Sequence, residues 1–585
     1  MSRGFVPRHA WDAVVETKDG RGFLRRVSPR ARGFDIKDAS ISLKLRSALA
    51  ALEGGVPVSL LPRVADIAAR VLQDEIGWKV SKVPDLFYAM NGFCSETNIH
   101  MALCEEDFAE TVSELYHCMH PYQREGVAFA MSLYTRGQRG CGIFDEMGLG
   151  KTLQALGFMK YLMRSSATPV RTLVICPGYL RGNWRTEIVK WQVFPENAIQ
   201  TMIKLVDRPS MDEHTVVLAS YRWMRENAEH LDEFTLCVFD EAHLLKNAHH
   251  TRDKDCSLRY LAARRLASRL KFTLFLTGTP TPNCPKELYS LLYLVGAVHM
   301  KYAEFAFRYC KRYFSRLFFG WHDDGVSAKE ELKALQRMHF VRRLAADHLR
   351  GLPEEMRSFV TLPLQGGKAK LKKLAKERET LLKKLNDPSL TDADRKNTSK
   401  RVQFNRTMQL IASAQAKNKS FKQYFMQYLK DHPPRSDGTR APFIVFAYHE
   451  ETLLALQTLF QELEIVPGLV YGKTPKSEAG DIIRAFQANE IEVLILSLAM
   501  SAGLNLQNCN TAFFAEVTWS PGVLAQAEKR VHRQGSAHDR VHYVYLFGES
   551  PAICQQVYNK CTRKKRNIEQ SLQKESKKHR PDQPE

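Results

Sequence analysis

Short apolar runs recur in two stretches of the chain, each bounded by Gly, Pro or polar turns. The first series covers residues 142–144, 172–176, 215–218, 236–239 and 273–276; the second covers 443–446, 493–496, 512–515 and 541–545. These runs do not alternate with polar residues, and segments of helical composition separate them. Such a pattern predicts strands buried on both faces of a parallel sheet, with helices packed above and below. Two α/β blocks of similar size follow from it.

Between the blocks, residues 368–420 are rich in Lys, Leu, Ala and Glu, which favours helix over strand. Pro433-Pro434-Arg435-Ser436-Asp437-Gly438 reads as a loop before the second block. Residues 1–110 carry mixed helical patterning without a recognisable motif. The expected division is therefore 1–110 as an N-terminal accessory region, 111–300 as the first α/β lobe and 301–440 as a helical linker or insertion. Residues 441–560 are expected as the second lobe, and 561–585 as a basic, disordered tail.

Charge sharpens this picture. Lys and Arg number 85 against 64 Asp and Glu, a formal net charge of +21 with a pI near 9.4. That excess favours a polyanionic partner through counterion release. Twelve cysteines are scattered with no CxxC pair, which argues against zinc ribbons and against a disulfide framework. No run approaches the roughly 18 apolar residues needed to cross a bilayer, and no apolar leader follows the N-terminal arginines. The clusters 563–566 and 577–580 read either as a nuclear localisation signal or as a solvated basic end.

Chemistry enters at Asp145-Glu146-Met147-Gly148-Leu149-Gly150-Lys151-Thr152, directly after the apolar run 141–144 and before the helical stretch 153–163. This is a phosphate-binding loop in its strand–loop–helix context. Its glycines let backbone N–H groups approach phosphate oxygens, Lys151 supplies a charge to the β- and γ-phosphates, and the Thr152 hydroxyl reaches Mg²⁺. The first position of the general pattern is Asp145 rather than Gly. Asp240-Glu241 follows the apolar run 236–239, which places Asp240 as the second Mg²⁺ partner and Glu241 as the general base for an attacking water. Cofactors are therefore ATP and Mg²⁺. Further blocks fall in order: Gln123, suited to reading adenine; Thr277-Gly278-Thr279, whose hydroxyls can sense the γ-phosphate; and Gln526 with Arg530 and Arg533. The last two, three residues apart, are expected on one helix face as arginine fingers.

The series HPYQREGVAFAM, DEMGLGKT, VFDEAHLLKN, LTGTPTPN and QAEKRVHRQG resembles the Swi/Snf-type ATPases of superfamily 2 over roughly residues 118–548. The resemblance implies two tandem RecA-like lobes and a DNA-dependent ATPase. Phe307-Arg308-Tyr309-Cys310, Gly320-Trp321, Glu331-Leu332, Arg342-Arg343-Leu344, Leu352-Pro353 and the run 514–528 resemble the annealing-helicase (HARP-like) branch. That branch implies a translocase on duplex, forked or branched DNA, acting in strand annealing and replication-fork remodelling. Further implications are a nuclear location in a eukaryote and a cytoplasmic one otherwise, a monomeric motor, and replication or repair proteins as partners. Lysines common in the branch are replaced by Ala345 and Glu355, Ile and Gln by Gln534 and Ser536, and Ser by Ala242. Arg181, Asn183, Trp184, Ser501, Gly503 and Asn505 are the candidate DNA contacts, with core packing as the alternative for Trp184 and Trp191. Residues 368–430 read equally as a basic DNA brace or as a solvated helical pair. Competing functions are a nucleosome-remodelling ATPase, a DEAH-type RNA helicase suggested by Asp240–His243, and a DNA-binding scaffold with an inactive ATPase fold, which the intact Lys151, Asp240, Glu241, Arg530 and Arg533 oppose.

Overall fold

The structure, a computed structural model, describes residues 13–18, 21–26, 56–57 and 100–572, apart from residues within 211–212, 232, 247–255, 282–283, 316–319, 350, 366–367, 386–416, 437, 501–503, 534–535 and 550–552. Near the N-terminus, β1 (Ala13–Lys18), β2 (Arg21–Arg26) and β3 (Val56–Pro57) pair antiparallel in a small sheet. The remaining first 99 residues, and the tail beyond 572, lie outside the described residues.

The first lobe is built on β4 (Gly140–Ile143), β5 (Arg171–Cys176), β6 (Ile199–Thr201), β7 (Thr215–Ser220), β8 (Leu236–Asp240) and β9 (Phe272–Leu276). After a hairpin of β10 (Cys310–Ser315) and β11 (Gly320–Val326), the two-residue β12 (Phe340–Val341) returns to the same sheet. Its order is β12-β4-β9-β8-β5-β7-β6, parallel throughout. Strand β9 is buried at every position, and β7 and β8 at all but their last, because helices cover both faces. Residues 100–119 belong to this lobe as well. Cys104, Phe108, Val112, Leu115 and Met119, spaced three or four apart, enter the lobe's core as one stripe of a helical segment.

The second lobe comprises β13 (Glu354–Leu362), β14 (Phe443–Ala447), β15 (Gly468–Val470), β16 (Val493–Ser497), β17 (Thr511–Phe514) and β18 (Arg540–Gly548). These form a parallel sheet ordered β13-β18-β17-β14-β16-β15. Alternate residues feed two separate cores. Ile444, Phe446, Leu494, Leu496, Phe514 and Tyr545 pack on one face, while Phe443, Val445, Val493, Ile495, Phe513 and Leu546 pack on the other.

The stretch expected as linker, 301–440, thus gives an edge strand to each sheet. It also gives the second lobe a helix, Asn418–Asp431, whose Phe421 and Phe425 are buried in its core. The helix Lys368–Leu385 stands mostly in solvent, but Leu381 and Leu385 pack with Val402.

Candidate nucleotide site between the lobes

Strand order positions the site. Strand β9 lies between β4 and β8, so the loops after these three strands leave adjacent points on the carboxyl edge of the sheet, where ligands bind in open α/β folds. The loop after β4 carries Asp145 to Lys151, that after β8 carries Glu241, and that after β9 carries Thr277 to Thr279.

The first of these loops needs its glycines. Gly148 has φ +88° and Gly150 φ +70°, left-handed conformations that a Cβ disfavours. A Cβ on Gly150 would also stand 2.3 Å from the Gln123 amide nitrogen. Gln123 Nε2 donates to the Leu149 carbonyl (3.2 Å) and its Oε1 accepts from the His120 N–H (3.0 Å), so this buried amide props the loop. Lys151 Nζ donates to the carbonyls of Asp145 (2.8 Å) and Glu146 (3.2 Å). Burial holds its pKa below the ordinary lysine value, although Glu241, Asp145 and Asp240 pull the other way. A half-buried ammonium whose hydrogen bonds go to carbonyls is poised for an anion.

Asp145 is accounted for by Arg343, far along the chain. The carboxylate is fully buried and accepts from the Arg343 backbone N–H and guanidinium, each at 3.0 Å, and from Gln154 Nε2 at 3.0 Å. Arg342 donates to the Phe144 carbonyl (3.0 Å), and the Ala345 N–H donates to Glu146 Oε2 (2.8 Å). The segment 342–345 therefore straps the loop from behind. Sequence reasoning singled out this Arg-Arg-Leu run only as a likeness and missed its contact.

Asp240 Oδ1 accepts from the Glu241 N–H (2.9 Å), Oδ2 from the Trp184 indole (2.9 Å), and its carbonyl from the Tyr221 hydroxyl (2.8 Å). Glu241 has φ 53° and ψ 47°, a left-handed conformation that costs a non-glycine residue on the order of 1 kcal/mol. Its Oε2 lies 3.2 Å from His243 Nδ1, which is itself 3.2 Å from Thr277 Oγ1. The two carboxylates titrate as a pair. Burial and the Glu241 charge push Asp240 up, while His243, Arg530 and Lys151 outweigh burial to hold Glu241 down.

The second lobe reaches this cluster through the helix Pro521–Val531. Gln526 Nε2 donates to Thr279 Oγ1 (3.2 Å), and Thr279 N–H donates to Thr277 Oγ1 (3.1 Å). A hydrogen-bonded path thus runs from Glu241 through His243, Thr277 and Thr279 to the opposite lobe. Lys529 Nζ sits 3.7 Å from Glu146 Oε1 and 2.9 Å from Glu355, where the branch commonly has lysine. Arg530 is buried, feels the charges of Glu241 and Tyr179, and is held below its ordinary pKa by desolvation. Its Nη1 donates to the Leu504 carbonyl (3.2 Å), while its Nε finds no partner among the described residues.

Arg533 differs from expectation. The helix stops at Val531 because His532 leaves it in an extended conformation, its ring held by the Pro353 carbonyl at 2.8 Å. Arg533 is therefore not on the helix face of Arg530. Its Nη1 turns to Asn505 Oδ1 (3.4 Å), and burial together with neighbouring Arg530 lowers its pKa to about 9. The Tyr179 ring, which sequence reasoning did not single out, lies within electrostatic range of Glu241, Arg530 and Asp240.

The candidate DNA contacts divide. Asn183 and Asn505 are exposed, whereas Arg181 folds back on the Gly178 and Met202 carbonyls. Trp184 is wholly buried and therefore does not stack on DNA; Trp191 is half-buried with its N–H on Glu187 (3.0 Å). Ser501 and Gly503 lie outside the described residues.

A half-buried lysine over a left-handed glycine loop, an acidic pair and a guanidinium with an unpartnered N–H among the described residues fit a triphosphate with a divalent cation. Thr152 and Asp240 are the groups that would hold the cation. Residues 122–423 match the SNF2-related domain and residues 423–535 the helicase conserved C-terminal domain. A Xenopus tropicalis protein named SWI/SNF-related matrix-associated actin-dependent regulator of chromatin subfamily A-like protein 1 is 30% identical over 78% of this chain and 45% of its own length. The Bos taurus DNA annealing helicase and endonuclease ZRANB3 is 31% identical over 73% of this chain and 38% of its own length. The match thus spans less than half of either relative. Among solved structures, the Sulfolobus solfataricus SWI2/SNF2 ATPase core in complex with dsDNA aligns over 77% of this chain and 96% of its own at 22% identity, with a TM-score of 0.35.

Proposed function

The chain belongs to the SNF2-related domain family, and from that premise we propose that it is a DNA-dependent ATPase that uses ATP to translocate along double-stranded or branched DNA. The observation that carries this reading is the closure of one site by two lobes. Lys151, Asp240 and Glu241 stand on one wall, and Arg530 and Gln526 come from the other.

In this mechanism Lys151 exchanges its two carbonyl partners for phosphate oxygens. A magnesium ion held at Thr152 and Asp240 would supply charge neutralisation on the β- and γ-phosphates. Glu241, kept ionised by His243, accepts the proton of the attacking water. Arg530 compensates charge that develops on the γ-phosphoryl group. When that charge leaves, the Thr277–Thr279–Gln526 contact is the link through which the lobes part. Repeated closure then steps the grip on a DNA backbone. Contacts of that kind are phosphate-directed and sequence-independent.

The finer task we assign is strand annealing and remodelling of replication forks, in the nucleus of a eukaryotic cell. The branch-like residues 307–353 and the likeness to an annealing helicase support it. Nucleosome remodelling is the second reading, favoured by the likeness to a protein named as a regulator of chromatin. The test is ATP turnover on duplex, forked and single-stranded DNA and on RNA, followed by fork-regression and nucleosome-sliding assays. Strongest stimulation by forks with no sliding is expected. RNA-specific stimulation contradicts the motor assignment, and sliding without fork regression moves it to the second reading.

A further inference from the structure

Trp184 has two features that a packing role alone does not require. It is wholly buried, and its one polar atom is spent on a side-chain carboxylate, Asp240 Oδ2 at 2.9 Å. The other tryptophans nearby behave differently. Trp223, equally buried, donates to the backbone carbonyl of Asp207 (3.1 Å), and Trp191 donates within its own helix to Glu187 (3.0 Å). A half-buried carboxylate with a single side-chain donor among the described residues is oriented by that donor, since the indole ring is fixed by packing and its N–H has only one direction.

The placement of the helix gives this orientation a consequence. Trp184 sits in the first turn of the helix Arg181–Lys190, and the residue before it, Asn183, faces solvent. A Cβ on Gly182 would meet nothing within 4 Å, so this turn leaves its outer side open. The loop leading in carries Tyr179, within electrostatic range of Glu241 and Arg530. The short segment 179–184 therefore meets the acidic pair through Trp184 and presents its middle to the exterior.

We propose that Trp184 is a positioning residue: its indole N–H fixes the carboxylate of Asp240 to the helix Arg181–Lys190, so that a load on the outer turn at Asn183 and the setting of the divalent-ion ligand move together. This deepens the motor reading and rests on it. It gives DNA on the outside of the first lobe a mechanical route to the nucleotide site that does not pass through the second lobe. The path from Glu241 to Gln526 is separate from it.

The test uses the full chain, Trp184→Phe, and Trp191→Phe as a matched control that removes an indole hydrogen bond from the same helix away from the acidic pair. The readout is the magnesium concentration giving half-maximal binding of a fluorescent ATP analogue, which needs no turnover. Loss of one hydrogen bond to a charged group predicts a rise of roughly tenfold for Trp184→Phe. Trp191→Phe leaves the midpoint where it is, and duplex affinity is unchanged in both, because Trp184 is inaccessible to DNA. A Trp184→Phe protein that melts cooperatively and keeps the wild-type midpoint overturns the inference and leaves the motor reading standing. If that variant does not fold, the wild-type chain with ¹⁵N-labelled indoles answers. Magnesium nucleotide must then shift a solvent-protected indole resonance, and no shift in any of them overturns it. A wild-type chain that binds the analogue without magnesium dependence removes the motor reading, and the inference with it.

Discussion

At the scale of single residues, the nucleotide site depends on a few side chains whose neighbours set their charge. Lys151→Ala is expected to lose nucleotide binding, and Glu241→Gln to keep binding but lose hydrolysis, as read by fluorescent-nucleotide titration beside phosphate release. Wild-type turnover in Glu241→Gln would remove it as the base. The Asp145–Arg343 pair makes a different prediction. Both groups are almost wholly buried at 3.0 Å, so removing one partner leaves a charge without its counter-ion. Arg343→Ala should lower unfolding stability by about 3–5 kcal/mol in urea titrations, whereas mutation of the exposed Arg484–Asp481 pair should cost little. Lys151, Asp240 and Glu241 were legible because local context announces them: an apolar run, then a glycine loop or an acidic pair. Asp145 read only as a departure, since the arginine that explains it is distant in sequence. Arg533 was read as a helical neighbour of Arg530, and nothing local signals that Pro353 draws His532 out of the helix.

Among elements, the strands that could be read were those with helices on both sides. The runs 172–176 and 443–446 have no polar face to hide them, and β5 and β14 follow. Strand β13 escaped because it is the edge of its sheet. Glu354, Met356, Arg357 and Phe359 are exposed there, so its sequence looks like a charged connection. Strand β12, two residues long, carries no periodic signal at all. One element junction also carries a pH signature. Glu516, buried at the end of β17, accepts from the Tyr448 and His449 N–H groups and pairs with the His449 ring at 2.8 Å, anchoring the helix Glu450–Gln461. Burial opposes both charges, yet the pairing holds His449 above and Glu516 below their ordinary values. The raised histidine contributes stability fully below about pH 6.5, and loses it as pH rises through its folded value. The lowered glutamate contributes above about pH 4.5, and loses it as pH falls through its own. Melting temperature of the wild type should therefore decline relative to His449→Gln as pH rises through neutrality. Parallel curves would refute the pairing.

For the whole molecule, the two lobes meet through the helix Pro521–Val531 and through the helix Ile553–Ser571, which packs on elements of both, and the chain's excess of positive charge favours a polyanionic partner. Duplex affinity should fall steeply between 50 and 200 mM salt, with a log–log slope that counts the phosphates engaged. A flat response would mean that the +21 charge is not used for DNA. The shared site needs Arg530, with Gln526, to complete from the second lobe a set of groups otherwise held in the first. Its most direct test is ATP turnover by Arg530→Ala in saturating duplex DNA, beside nucleotide affinity. The expected result is affinity within a few-fold of wild type and turnover lower by roughly a thousandfold, the scale of an arginine finger. Turnover equal to wild type would mean that the lobes do not share the site.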